Sequence, residues 1–274
     1  MITSKSKKML LSIVNITVGI IIVSPILFTL THSFMTQGEI FQFPPRIFSK
    51  KMYLGNYKQV VQSVPIFRFI LNSILVSSAV TLGQILTASL AAYGFSFFNF
   101  KGKNLIFIAV LATMMIPGEA TIISNYLTVS SWRWLDSYQG LIFPYLTSAM
   151  GIFLIRQFYL TIPKELKEAS LIDGCGSFKF FTKIVMPISK PAIASLGIYV
   201  FLNTWNQYMW PLLITNAPEK RTVQIGISML QFSEAQSFGV IFAGIVMILI
   251  PSIFIFILGQ KQLIKGMTAG AVKG

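Results

Sequence analysis

The chain has 274 residues, of which 54% are hydrophobic and only 11% are charged. Because an average soluble domain carries about 25% charged residues, this composition indicates a membrane protein. The net charge of +14 comes from basic residues spread between apolar segments, so we expect them to meet anionic lipid headgroups and not nucleic acid. The single cysteine, Cys175, excludes an intrachain disulfide and a cysteine cluster for a metal. The lone His32 makes no metal site either, and we expect it at the outer end of the first span.

Six apolar segments of the chain are long enough to cross a membrane as helices. A helix needs about 20 residues to cross about 30 Å of hydrocarbon, and each segment reaches that length. Five segments contain no charged residue, and the sixth is interrupted only by Glu119. The pattern therefore predicts an all-α membrane protein with six transmembrane helices. In chain order, the segments are residues 9–38, 69–100, 104–132, 137–155, 191–218 and 235–260.

The basic residues predict on which side of the membrane each loop lies. An even number of spans places both termini on one side; if that side is the cytoplasm, 14 of the 22 Lys and Arg residues are cytoplasmic and 8 are outside. This bias favours a multi-pass inner-membrane protein with both termini in the cytoplasm. The first span is longer than the apolar part of a secretion signal and no cleavage motif follows it, so we expect it to be retained.

The second span has two stripes of small side chains. Ser73, Ser77 and Thr81 follow one another at helical spacing, and Ala88 and Ala92 are spaced four apart. Small residues at this spacing let helix backbones approach closely, so we expect this span to be buried among other helices.

Two further spans carry polar residues that suggest a path for a solute. Glu119 follows Pro117 in the third span, where Pro is expected to kink the helix; the carboxylate either lines a path or lies near the outer headgroups. In the fifth span, polar side chains between its middle and its outer end need partners in lipid, so they either join helices or face a watery cavity, which we favour. The aromatic residue Tyr208 is also typical of an interfacial belt. The residues of this predicted path are Asn203, Trp205, Asn206, Tyr208 and Glu119.

A polar segment, residues 161–190, separates the fourth and fifth spans. The pattern predicts a cytoplasmic helix-turn-helix, in which Thr161 caps an exposed first helix and Gly174 ends it. Ser177 is expected to cap a second helix with Phe178, Phe181 and Val185 on its apolar face. Pro187 and Pro191 then turn the chain back into the membrane.

This segment resembles the "EAA" loop of binding-protein-dependent ABC importer permeases, in which E-A-A, two residues and D-G precede I-x-L-P. Here the matching stretches are EASLIDG and IVMP, with Ser170 replacing the second Ala. The resemblance continues through LNSILV, AAYGFS and MMIP, and it points to the carbohydrate-uptake branch, related to the smaller maltose permease subunit and closest to glycerol-3-phosphate permease subunits. The loop residues that carry the resemblance are Glu168, Ala169, Ser170, Asp173, Gly174 and Pro187. Gly176 belongs to the turn that follows the D-G pair.

The resemblance implies a single permease domain, residues 1–274, with a core of residues 68–259 and a loop that docks in a separate ATPase subunit. Ala169 and Ser170 are small enough for close approach, and Glu168 and Asp173 are able to pair with basic or backbone donors. The implied partners are a second homologous permease, two ATPase subunits that use ATP and Mg, an extracytoplasmic solute-binding protein and the lipid membrane. The implied solute is glycerol 3-phosphate, with a sugar or oligosaccharide as the alternative.

Other functions are disfavoured by what the chain lacks. It contains no G-x-x-x-x-G-K-[ST] motif, so we expect ATP hydrolysis in another chain and no cofactor bound here. A membrane-embedded enzyme needs convergent acids, histidines or a metal set, and no catalytic residue is predicted. An ion-coupled carrier usually contains two related halves, and no internal repeat is visible.

Overall fold

The computed structural model describes residues 5–49, 51–233 and 237–269, and no strand occurs among them. This confirms the all-α fold class. The chain forms two compact units: unit 1 contains the chain up to Phe67 together with Gly226–Ile250, and unit 2 contains Arg68–Ile225 together with the chain from Pro251 onward. The predicted core, residues 68–259, begins where unit 2 begins, and the domain division stays a prediction.

Fifteen α-helices lie within the described residues. Short 3₁₀ turns cover Thr113–Met115, Phe143–Tyr145 and Pro218–Lys220, and a π-helical turn covers Phe181–Val185. In chain order the helices are α1 Lys5–His32, α2 Gln37–Ile40, α3 Gly55–Ser63, α4 Ile66–Phe97, α5 Lys103–Ala112, α6 Gly118–Ser131, α7 Tyr138–Ile142, α8 Ala149–Tyr159, α9 Glu165–Ile172, α10 Ser177–Phe180, α11 Met186–Ile188, α12 Lys190–Trp205, α13 Met209–Ile214, α14 Val223–Ser233 and α15 Phe238–Ala269.

The described helices supply up to six spans if each bent pair counts as one span. Three single helices are long and apolar enough to cross a membrane: Lys7–His32, Ile66–Phe97 and Phe238–Gln260. Three pairs are long and apolar enough only together and are bent, by 97° at Pro117, by 45° before α8 and by 75° before α12; the last pair includes Ser177–Ile188, which belongs to the loop predicted over residues 161–190. The expected kink at Pro117 is thus a near right angle, because Pro removes a helical hydrogen bond and the chain at Ile116 is extended.

The fifth span is shorter than predicted. Its helix, α12, begins at Lys190 and ends at Trp205, whereas the charge-free run continues to residue 218. Asn206 lies at the C-cap position, and a separate short helix, α13, follows from Met209. Hydropathy alone did not reveal this end, because the residues beyond it are as apolar as those before it.

The second span is buried as its small residues predicted. Ser73, Ser77, Ala88 and Ala92 are each at most 2% exposed. A Cβ built on Gly151 of α8 would lie 3.3 Å from the Ala88 Cβ, so the two backbones approach closely at this point. The predicted burial is confirmed for the small-residue face, whereas Leu71, Leu82 and Leu86 on other faces of the helix are 59–67% exposed.

In unit 1 a buried asparagine joins α3 to the chain just after α1. The Asn56 Nδ2 atom donates to the carbonyl oxygens of Ser33, at 2.9 Å, and Met35, at 2.8 Å. His32, the last residue of α1, is 6% exposed and its ring stacks on Phe28 at 3.7 Å between centroids. His32 is the one buried residue of the span Lys7–His32, so the side chains from Lys7 to Thr31 are left to face lipid or another protein.

Candidate coupling loop and solute path

The loop of residues 161–190 is a helix-turn-helix, as predicted, but two of its expected caps are wrong. Gly174 has φ +67°, a left-handed conformation that glycine adopts without strain, and it ends α9. Thr161 does not cap α9, because its hydroxyl donates to the Phe158 carbonyl oxygen at 2.7 Å, at the end of α8. Ser177 is the first residue of α10 and not its cap, which is Gly176.

The first helix of the loop, α9, has an inner and an outer face. Ser170 is 4% exposed and its hydroxyl donates to the Lys167 carbonyl oxygen at 2.7 Å. The Lys167 ammonium in turn donates to the carbonyl oxygen of Phe97, at the end of α4. The small side chain of Ser170 is thus packed within this chain, and its predicted role in close approach to another subunit stays a prediction.

The outer face and the tip of α9 remain uncovered by the chain. Glu168, Ala169 and Asp173 are exposed. Beside them, Leu171 is 61% and Ile172 is 87% exposed, an unusual exposure for apolar side chains that follow a buried Ser170. An exposed apolar group ringed by charged residues is typical of a surface that binds another protein.

The second arm of the loop packs on an aromatic cluster, which we define as Tyr93, Phe97, Tyr159, Phe180 and Phe181. Ring centroids are 4.9 Å apart for Tyr93 and Phe181, 5.4 Å for Phe97 and Phe180, and 6.0 Å for Phe97 and Tyr159. The Tyr93 hydroxyl also donates to the carbonyl oxygen of Ser177 at 2.8 Å. These contacts join the loop to the end of α4.

One residue of the second arm, Phe178, was predicted on the apolar face of the helix but is exposed. Phe178 is 75% exposed, whereas Phe180 is 1% and Phe181 is 6% exposed. Phe178 lies in the short helix α10, before the π-helical turn at Phe181–Val185, and the structure shows it on the exposed side of that helix. Phe178 therefore adds to the exposed apolar tip.

The polar residues predicted along the fifth span divide between surface and interior. Asn203 and Asn206 are exposed on α12, and each side-chain Nδ2 donates to the carbonyl oxygen four residues earlier, at 2.9 Å. The Asn206 Oδ1 accepts from the Gln224 amide at 3.3 Å. Tyr208 is 39% exposed, whereas Trp205 is 1% exposed and stacks on Phe201 at 5.9 Å. Trp205 therefore supports the helix from inside and presents no accessible surface in this conformation.

Glu119 lies in the first turn of α6, directly after the 97° bend, and is exposed. All residues from 112 to 120 are exposed, so the carboxylate has no cover from this chain. A carboxylate at a helix N-terminus interacts favourably with the helix dipole. Both predicted roles of Glu119, lining a path or lying near headgroups, stay open.

Sequence reasoning missed a group of residues, here called the clamp, at the other end of unit 2. The Asp136 carboxylate accepts from the backbone N–H groups of Asn216, at 2.6 Å, and Ala217, at 2.7 Å. The Asn72 Nδ2 donates to the carbonyl oxygens of Glu219 and Arg221 at 2.9 and 2.8 Å. Two features of the sequence could have indicated this group: Asn72 is an amide within an apolar span, and Asp136 is a lone acid between two spans. The clamp consists of Asn72, Ser73, Asp136 and Tyr138, since Ser73 accepts from the Val223 N–H and Tyr138 donates to Asn72.

The helical spans, the exposed loop between two of them and the uncovered polar face of α12 together define a membrane transport permease. The model of one family, described as a binding-protein-dependent transport system inner membrane component, matches residues 9–268. The chain belongs to this family. It is accordingly the permease subunit of an ABC importer, a multi-pass inner-membrane transport component and not an enzyme.

The chain is similar to several curated permeases over most of its length. It is 34% identical to the sn-glycerol-3-phosphate transport system permease protein UgpE of Brucella melitensis, over 91% of this chain and 92% of the relative. It is also 34% identical to the arabinooligosaccharides transport system permease protein AraQ of Bacillus subtilis, over 82% of this chain and 80% of the relative. These relatives confirm the predicted carbohydrate-uptake branch.

A solved structure shares the fold. A chain of a bacterial ABC transporter involved in the import of the acidic polysaccharide alginate matches with a TM-score of 0.80 and 20% identity, covering 95% of this chain and 99% of that chain. A second alginate transporter structure, in complex with a periplasmic protein bound to an alginate pentasaccharide, matches with a TM-score of 0.65 and 15% identity. The predicted six-span permease fold is confirmed.

Proposed function

We propose that the loop of residues 161–190 is the surface on which a separate ATPase subunit docks, so that ATP-driven movement reaches the spans. The observation that carries this proposal is the two-faced first helix of the loop. Its inner face carries the buried Ser170 and is joined to the end of α4 through Lys167, while Glu168, Ala169 and Asp173 face outward. A docking helix needs both properties, since a loose helix would absorb the movement and a covered helix would meet no partner.

The remaining residues of the loop fit this role. Gly174 and Gly176 form the turn between its arms, and Pro187 precedes the 75° bend at which the chain enters α12. The exposed apolar tip, Leu171 and Ile172, stabilises the docked complex when a partner buries it, by about 25 cal/mol per Å² of apolar surface.

The assembly we propose contains a second homologous permease subunit, two ATPase subunits and an extracytoplasmic solute-binding protein. ATP and Mg are used by the ATPase subunits, and this chain binds no cofactor. The loop and both termini lie in the cytoplasm, which the excess of Lys and Arg at that side supports. The clamp end of unit 2 then faces the solute-binding protein.

The exposed face of α12 is the proposed path of the solute. Asn203 and Asn206 are exposed amides that each make one Nδ2 hydrogen bond within the chain and have a further N–H to donate, so a water-filled cavity between permease subunits suits them better than lipid. Tyr208, at the same end, adds an aromatic ring with a polar tip. Trp205 backs this face without touching the solute, and Glu119 is the acid we place nearest the outer mouth.

The first candidate solute is glycerol 3-phosphate, which the UgpE relatives are named for. The second candidate is an oligosaccharide, which AraQ is named for at the same identity. The neutral amides of α12 favour the second candidate, because hydroxyl groups pair well with amides while a phosphate prefers Arg or Lys. For glycerol 3-phosphate, the cations must come from loop edges or the second permease.

Uptake by cells that contain the complete importer decides between these solutes. Labelled glycerol 3-phosphate and a labelled arabinooligosaccharide are supplied in parallel, with a strain lacking this chain as the blank. Uptake of glycerol 3-phosphate that depends on this chain supports the first candidate. Uptake of the oligosaccharide alone supports the second and rejects the first.

The docking role is tested with Glu168→Lys. We expect this charge reversal to abolish transport and the copurification of the ATPase subunits, while the chain still inserts in the membrane. Glu219→Lys is the matched control for insertion and ATPase recovery, because it makes the same change on an exposed residue at the clamp end, away from the loop. Normal uptake and normal ATPase recovery with Glu168→Lys would refute the docking surface.

A further inference from the structure

An open groove of about 700 Å³ lies among α4, α12 and α15 within unit 2. It is lined by aliphatic side chains, proline and glycine, and among its lining residues, all of which the structure describes, Lys190 alone carries a charge. This volume falls in the range of about 300–1,000 Å³ that is typical of sites for small ligands. The lining offers no polar group away from Lys190 with which to recognise a sugar.

Two glycines help to form the groove. A Cβ on Gly197 of α12 would lie 3.3 Å from the Ile85 Cδ1 on α4, and a Cβ on Gly259 of α15 would overlap the Ile198 side chain. Glycine thus lets the three helices approach while leaving no side chain of its own in the space between them.

The groove lies on the opposite face of α12 from the proposed solute path. Ala194 lines the groove and Asn203 is nine residues later; Gly197 lines it and Asn206 is nine residues later. Nine residues make about two and a half turns of an α-helix, which places each pair on opposite sides. The groove is therefore separate from the amide face and is not a branch of that path.

The length and position of the groove match one leaflet of a bilayer. Lys190 is the first residue of α12, where the chain leaves the loop, and Ile198 lies about 12 Å further along the helix axis at 1.5 Å per residue. Half of the hydrocarbon core is about 15 Å thick. The lysine thus lies at headgroup depth when the apolar lining lies among acyl chains.

We propose that this groove binds an anionic phospholipid, with one acyl chain along Ala194, Gly197 and Leu258 and the headgroup phosphate paired with the Lys190 ammonium. The occupant follows from the two chemistries that meet there: an aliphatic cleft in a membrane-spanning segment and one cation at its mouth. The first turn of α12, whose backbone N–H groups carry partial positive charge, adds to the attraction for phosphate. The proposal does not depend on which solute the importer moves.

The test uses the purified complete importer in detergent, with retained lipid counted by native mass spectrometry. Phosphatidylglycerol and phosphatidylcholine with the same acyl chains are titrated separately. We expect Lys190→Gln to weaken phosphatidylglycerol binding about fivefold, the effect of one lysine near a phosphate, and to leave phosphatidylcholine unchanged. Lys101→Gln, an exposed lysine elsewhere in unit 2, is the matched control and should change neither lipid.

A second variant tests the acyl chain. Ala194→Phe places a ring in the groove and should weaken both lipids, and its thermal midpoint shows whether the complex remains folded. Since Lys190→Gln leaves the packing intact, it keeps the test valid if Ala194→Phe fails to fold. Equal phosphatidylglycerol binding in the wild type and in Lys190→Gln overturns the proposal. Displacement of phosphatidylglycerol by inorganic phosphate at millimolar concentration would also overturn it, since the site would then hold phosphate without a lipid.

Discussion

At one end of unit 2 the segment from Thr215 to Val223 is held by directional hydrogen bonds, and at the other the loop of residues 161–190 rests on aromatic rings. The clamp makes six hydrogen bonds of 2.6–3.0 Å to this segment or within itself. The loop end relies on ring contacts with centroids 4.9–6.0 Å apart, with the Tyr93 and Lys167 bonds to backbone beside them.

This difference matters because the two kinds of contact respond differently to movement. A hydrogen bond weakens steeply when its angle changes, so the clamp fixes one geometry. Aromatic contacts depend mainly on buried area and tolerate tilts between edge and stacked arrangements. We therefore expect the loop end to transmit a tilt from a docked subunit, while the clamp end keeps its shape.

The largest loss of stability is expected when a side chain is added to Gly140, at the clamp end of unit 2. A Cβ on Gly140 would overlap the carbonyl oxygen of Trp134 and lie 3.1 Å from Val129. Because backbone has to move, Gly140→Ala should lower the free energy of unfolding by about 3 kcal/mol. Gly94→Ala, near the loop end of α4, is the control: nothing lies within 4 Å of its Cβ, and it should gain about 0.5 kcal/mol. Thermal midpoints of the two purified complexes measure the contrast; equal midpoints would contradict it.

The second largest loss of stability is expected when the charged acceptor of the clamp, the Asp136 carboxylate, is removed. Asp136→Ala leaves the backbone N–H groups of Asn216 and Ala217 without their acceptor, and we expect a loss of about 2 kcal/mol. Asp136 also has φ +52°, a conformation that Asp and Asn adopt more readily than Ala. Asp136→Asn keeps the backbone preference and one acceptor, so it should lose about half as much. A thermal midpoint for Asp136→Asn as low as that for Asp136→Ala would show that the charge alone matters.

Much of the fold followed from local patterns in the chain. The apolar segments predicted the spans because hydrocarbon excludes unpaired polar backbone whatever the neighbours are. The burial of Ser77 and Ala88 followed from helical spacing, and Gly174 ended α9 because only glycine adopts its left-handed φ freely. Each of these inferences depended on residues that lie close together in the sequence.

The details that the sequence did not reveal are the directions of individual side chains, and the contacts behind them are partly local and partly between distant parts of the chain. Ser170 turns inward because Lys167 reaches the carbonyl of Phe97, which is 70 residues away. Phe178 faces outward although it lies at helical spacing from the buried Phe181 and Val185. Trp205 is buried against Phe201 although its neighbours in the chain are polar. In the candidate site, therefore, the position of the loop was predictable and the direction of each side chain was not.

A smaller loss of stability is expected when the hydrogen bond from the Tyr93 hydroxyl to the Ser177 carbonyl, at the loop end, is removed. Tyr93→Phe keeps the ring contact with Phe181 and removes only the hydroxyl that donates to Ser177. We expect a loss of about 1 kcal/mol in the free energy of unfolding. Because the loop then has fewer fixed points, solute imported per ATP hydrolysed should also fall, measured in vesicles with the complete importer. An unchanged ratio would mean that the aromatic contacts alone transmit the movement.

The smallest effect is expected at Ser170, where the chain departs from the family pattern. Ser170→Ala removes a hydrogen bond to the Lys167 carbonyl, but alanine has the higher helix propensity, by about 0.5 kcal/mol, so the two changes nearly cancel. The thermal midpoint and ATPase recovery should stay close to those of the wild type. Ser170→Leu is the informative contrast, since a larger side chain at this buried position forces its surroundings to shift and should cost about 1–3 kcal/mol. If Ser170→Leu left the midpoint unchanged and reduced only ATPase recovery, Ser170 would face the partner in the assembled importer and not the chain's own core.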